Sequence, residues 1–278
     1  MTIVSNVVVV LDERVRTWTA VLAVAGWPEL EMTRTPHGLH LQSKALSHHL
    51  RELDGLDTLP IVQGTKEMLA NEGPLAPTLT AALAADQADA AKAFADAAGL
   101  AEFWAAHTDV WAEAVAHLTE IVNNAPIVDF CTKLLANGRV LPAKITICPT
   151  LTYPLLSTVL STDVDNFIIA VPPPKAWGAS SPWPYAEWAD EVMFRVMRAL
   201  AGQLFATDLA DASDEQKRLA TYAAAILFLE TAFGEATGMA FLVQKKREDS
   251  LPRLPLAVEA VRDHIADPNQ ASLASRLD

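Results

Sequence analysis

The run "LATYAAAILFLETAFGEATGMAFL", residues 219–242, limits the fold more than any other stretch of this chain. Its spacing is helical, and apolar residues lie on nearly every side of it. A helix of that kind has no face to give to water, so it belongs at the centre of a fold. Ser213 and Gln216 form a capping-box pattern that starts this helix. One acid, Glu230, stands among Ile226, Leu227, Phe228 and Leu229. A carboxylate there is costly without a partner, so either a helix–helix ion pair or a functional site is expected around it.

Other elements follow from their own signals. "NVVVVLD" is a β-branched run that reads as a buried strand. "RVRTWTAVLAVAGWPEL" has helical spacing and stops at Gly26 and Pro28. From Leu39 to about Glu120 the chain is helix-compatible, with breaks near Asp54-Gly55, Gly73-Pro74 and Gly99, and no repeat period. "AKITICPTL" and "DNFIIAVPPP" read as strands, the second stopped by prolines. A proline- and tryptophan-bearing loop then leads into the helix "YAEWADEVMFRVMRALAGQLF", residues 185–205, with Pro184 at its first turn. The expected class is mostly α (α+β), with a small sheet preceding the central helices. We read one domain over 1–278: a mainly helical part (1–140), a strand–loop–helix–helix core (141–242), and a C-terminal helix with a frayed tail (243–278).

Charge and composition exclude several functions. The formal net charge is −13, which argues against binding a nucleic-acid backbone or an anionic membrane surface. The densest basic cluster, "KKR" at 245–247, runs into Glu248 and Asp249. Cys131 and Cys148 cannot define a disulfide framework and read as inert buried thiols in a reducing cytosol. The apolar part of the N-terminus, Val7 to Leu11, is too short for a signal peptide or a membrane span. The expectation is therefore a cytoplasmic protein. No GxGxxG, Walker loop or GxSxG occurs. Among His37, His40, His48, His49, His107, His117 and His264, no pair has the four-residue spacing of two metal ligands on one helix face.

The helix at 185–205 carries the most suggestive pattern. At about 100° per residue, Trp188, Val192, Val196, Leu200 and Leu204 form an apolar stripe, widened by Met193 and Met197. Glu187, Glu191, Arg195 and Arg198 fall on the other side, where Glu191 and Arg195 make an ordinary exposed pair. Asp190 projects beside Phe194 on a mainly apolar arc, beyond the first turn. There it needs a partner, a wet cavity or a raised pKa.

Over roughly residues 140–242 the order of strand, loop, helix and later helix resembles the zincin-like metallopeptidases, of the gluzincin type. The helical N-terminal part suits bacterial, uncharacterised relatives of that class. The resemblance puts Asp190 and Phe194 where the two zinc-binding histidines of His-Glu-x-x-His would stand. Glu191 falls at the general-base position, and Glu230 at the third ligand, with Glu235 as the runner-up. Both histidines are missing, and phenylalanine cannot coordinate a metal. The resemblance therefore implies a pseudopeptidase without zinc or other cofactor, binding a peptide or protein in an inherited cleft. Trp177, Trp183 and Tyr185 of the proline-stiffened loop either form the contact surface bordering that cleft or pin the loop onto the core. Two alternatives remain: a hydrolase using Asp190, Glu191 and Glu230 with or without a hard metal, and a helical structural or interaction module. Convergence of the three acids on an open cavity would favour the hydrolase, a groove closed by Phe194 the pseudopeptidase, and divergence the module.

Overall fold

A computed structural model of the chain describes residues 6–26, 41–72, 87–135, 139–150, 158–163, 166–174, 183, 185–268 and 272–277. Within these residues it is mostly helical, with twelve α-helices and one four-stranded sheet. No helix among them is long and apolar enough to cross a membrane. The chain divides into two compact units, each drawn from separated segments. One comprises Val8–Glu120 and Thr146–Trp188; the other comprises Met1–Val7, Ile121–Ile145 and Ala189–Asp278. These bounds run differently from the three parts, 1–140, 141–242 and 243–278, that the order of sequence patterns suggests within one domain.

The first unit holds most of the sheet and the N-terminal helices. The strands are β1 (Asn6–Val9), β2 (Lys144–Pro149), β3 (Thr158–Asp163) and β4 (Asn166–Val171), in spatial order β1-β2-β4-β3. Asn6 N–H donates to Ala143 O and Val10 N–H to Ile147 O, so β1 runs parallel to β2. β3 pairs antiparallel with β4, from Thr158 opposite Ala170 to Asp163 opposite Asn166. β1 is an edge strand and only half-buried, not the buried strand its valines suggest. β2 and β4 are central, and Ile145, Ile147, Ile168 and Ile169 are fully buried.

Helix α1 (Glu13–Val24) starts at Asp12, whose carboxylate accepts from the N–H groups of Arg14 and Val15. Gly26, at φ +76°, ends it as the sequence suggests. Then come α2 (Leu41–Arg51), α3 (Pro60–Glu72), α4 (Ala88–Ala97), α5 (Leu100–Ala106) and α6 (Thr108–Asn123). The breaks at 52–59 and at Gly99, which is left-handed at φ +56°, fall where the glycines predict them; Gly73-Pro74 lies outside the described residues. Trp18 and Trp111 are buried here, and the Arg16 guanidinium lies over the rings of Trp104 and Trp111.

The second unit is a helical cluster of α7 (Ile127–Lys133), α8 (Ala189–Leu204), α9 (Asp214–Phe233), α10 (Glu235–Glu248), α11 (Leu254–Ala266) and α12 (Leu273–Arg276). α9 packs against α8, α10 and α11, which is the central position its all-round apolarity requires. Its capping box forms, with Ser213 Oγ accepting from Gln216 N–H and Gln216 Oε1 accepting from Ser213 N–H. The expected single helix through residue 242 does not form. Gly234 adopts φ +94° and ψ 158°, a conformation open essentially to glycine, and turns the chain into α10. The tail likewise carries two helices, α11 and α12, rather than one.

Candidate functional site

The sequence places its candidate acids on α8 and α9, which pack together in the second unit. α8 starts later than expected. Residues Ala186–Trp188 form a 3₁₀ turn, and the α-helix begins at Ala189. Two corrections follow. Asp190 lies in the first turn, not beyond it, and its Oδ1 accepts from Glu191 N–H at 2.8 Å. There the helix N-terminus favours an anion, so Asp190 needs no cleft to account for it. Trp188 falls before the apolar stripe and is 39% exposed, whereas Val192, Val196, Leu200 and Leu204 are buried.

Glu191 is the centre of an ion-pair network and not part of an exposed strip. Arg195 Nε donates to Glu191 Oε1 at 2.9 Å, and Lys245 Nζ of α10 lies 3.2 Å from Glu191 Oε2. The three side chains are only 18%, 12% and 10% exposed, respectively. Lys245 also reaches Glu248 Oε2 at 3.6 Å. Phe194, buried one turn on from Asp190, packs edge-on against Tyr222 of α9 and at a tilt against Phe241 of α10. The Lys245 ammonium stands 5.2 Å from the Phe194 ring centre and 5.6 Å from that of Phe241. It therefore gains from two ring faces and two carboxylates at once, the nearer being that of Glu191.

Glu230 takes the ion-pair reading. Arg262 of α11 donates through Nη2 to Glu230 Oε2 at 2.8 Å and through Nη1 to Glu259 Oε1 at 2.7 Å. Burial alone would lower the pKa of Arg262, but Glu230 and Glu259 hold it above its ordinary value. Glu235 is exposed at the first position of α10. Glu230 packs beside Gly238 of α10, and Lys245 lies seven residues further along, about 10 Å on a helix. Asp190, Glu191 and Glu230 thus engage three different sets of partners and do not converge. Among the described residues no group of three or more His, Cys, Asp or Glu side chains could hold a metal ion.

Of the two readings of the aromatic loop, its described rings take the pinned one. Trp183 and Tyr185 are fully buried, Trp183 against Trp111, while Tyr185 OH donates to Val171 O at 2.8 Å. These rings anchor the chain to its own unit and present no contact surface; Trp177 lies outside the described residues. The described histidines make local contacts. His49 stacks on Phe103, and buried His264 places Nε2 3.1 Å from Leu134 O. Nδ1 of His117 lies 3.2 Å from Trp183 O. His37 and His40 fall outside the described residues.

Sequence reasoning misses Lys245, which in the sequence stands out only as part of the basic cluster at 245–247. The signal was present in the spacing: Gly238, Phe241 and Lys245 share one face of a helix at i, i+3 and i+7. That face becomes evident only once Gly234 is taken as the end of α9. Compared with known proteins, the chain matches no family model, no curated protein and no solved structure.

Proposed function

We propose that this chain acts by binding, as a helical interaction module, and not by metal-dependent peptide hydrolysis. The observation that carries the reading is the Lys245 ammonium, held between Glu191 and the rings of Phe194 and Phe241. With Oε1 taken by Arg195 and Oε2 by Lys245, both oxygens of the Glu191 carboxylate are engaged by cations and not by a water to be activated. A buried phenyl ring and a fixed cation also fill the space where the zincin-like resemblance would put zinc. On this reading the resemblance describes a pseudopeptidase scaffold whose general-base position has become structural. The divergence of Asp190, Glu191 and Glu230 supports the module over an acidic hydrolase.

The test is elemental analysis of chelator-free protein, followed by calorimetric zinc titration and an assay against a mixed peptide library. The expected result is no stoichiometric metal, no binding heat and no cleavage. Stoichiometric zinc, or cleavage abolished by a chelator, would overturn the proposal.

A further inference from the structure

The outer face of α10 is built unlike the outer face of an ordinary surface helix. Its inner face is accounted for: Gly238, Phe241 and Lys245 are buried. On the opposite side Ala236, Met239, Ala240 and Val243 are all exposed, at the i, i+3, i+4, i+7 spacing of a packing stripe. Met239 is 50% exposed and Val243 51%. Scattered apolar side chains on a surface need no account, but a continuous helical stripe does.

The row of residues four apart through this stripe reads Glu235, Met239, Val243, Arg247, with Glu235 and Arg247 both exposed. It is an acid, two apolar groups and a base, in that order, and it spans about 18 Å. Placed antiparallel against its own copy, the row complements itself. Met239 meets Val243, Val243 meets Met239, and each Glu235 meets an Arg247. Such i±4 rows are the ridges that interdigitate when two helices pack, and Ala236 and Ala240 beside the row permit close approach. A twofold axis requires this kind of self-matching patch. A parallel copy would instead place acid on acid and base on base.

We infer that the outer face of α10 is an isologous homodimer interface, two copies of α10 packing antiparallel about a twofold near residue 241. The interface lies opposite the Lys245 face and does not depend on the fate of the α8 acids. One helix face of this length covers less than the ~800 Å² per partner of a standard interface, so the association is weak and reversible.

Sedimentation velocity on the full chain from about 1 to 300 µM tests it, since weak interfaces show in that range. The expected result is a monomer–dimer shift within that range. Met239→Glu with Val243→Glu should abolish the shift. Arg247→Glu alone and Glu235→Arg alone should each weaken dimerisation by roughly 3- to 10-fold, because each turns two rim attractions into repulsions. The double swap Glu235→Arg with Arg247→Glu should return the affinity to within about twofold of the parent, since the antiparallel match is restored. All these positions are exposed, and circular dichroism checks that each variant folds. A chain still monomeric at the top concentration would overturn the inference. So would a dimer untouched by the apolar double variant, or a charge swap no better than either single change.

Discussion

Lys245 and Glu191 differ in what their loss would leave behind. Removing Lys245 leaves Glu191 with Arg195 and frees an exposed Glu248. Removing Glu191 leaves two scarcely exposed cations, Arg195 and Lys245, without the anion between them. A buried charge stripped of its partner is more damaging than a pair removed together. Lys245→Met should therefore cost about 1–3 kcal/mol, and Glu191→Ala more than that. The double variant should cost less than the sum of the two. Urea unfolding of the three variants checks the order. A neutral or stabilising Glu191→Ala would mean that Glu191 is held for chemistry and not for structure, because strained catalytic groups behave that way.

At the scale of elements, the joint between α9 and α10 decides the geometry of the second unit. Gly234 reverses the chain, and Gly238 lets α10 lie against α9: a Cβ there would come within 2.2 Å of Glu230 Cγ and 3.2 Å of both Glu230 N and Ile226 O. Side chain and backbone would both have to move. Gly238→Ala should destabilise the chain by about 1–3 kcal/mol in spite of the better helix propensity of alanine. It should also loosen the Glu230–Arg262 pair, which a thermal melt of Gly238→Ala with and without Arg262→Ala would reveal as non-additivity. The same joint shows what was legible beforehand. The central helix, its capping box at Ser213 and the apolar stripe of α8 could be read because periodicity and caps are local properties. The break at Gly234 could not, because a lone glycine in an apolar run looks the same whether it packs or turns. Strand β3 escaped notice because its pairing with β4 is set by register rather than by its own pattern. The site residues escaped for a related reason. Whether Glu191 faces water or Lys245 depends on a helix more than 40 residues further along the chain.

At the scale of the molecule, Cys131 reports on the integrity of the second unit. It is completely buried on α7, and burial pushes its thiol up to about 12. The folded state therefore holds this proton more tightly than the unfolded chain, whose cysteines titrate near 8.5. Below that pH the group leaves stability unchanged. As pH rises from about 8.5 toward 12 the unfolded chain loses the proton first, and stability should fall by up to about 1.4 kcal/mol per pH unit from this site. Comparison of urea midpoints at pH 8 and pH 10 for the parent and Cys131→Ala checks the sign, and the variant should show the shallower decline. At neutral pH, Cys131 should resist iodoacetamide until the chain is denatured.

The division of the chain into interleaved units has a consequence for its birth. Segment 121–145, which carries α7, belongs with 189–278, yet residues 146–188 of the other unit are made in between. At translation rates of about 5–20 residues per second, those 43 intervening residues take roughly 2–9 seconds to emerge. Throughout that interval Ile127, Phe130 and Cys131 have already been polymerised, while the helices of residues 189–278 in their own unit do not yet exist. The second unit can close only after the polymerisation of nearly the whole chain, whereas the first has all its parts once Trp188 has been added.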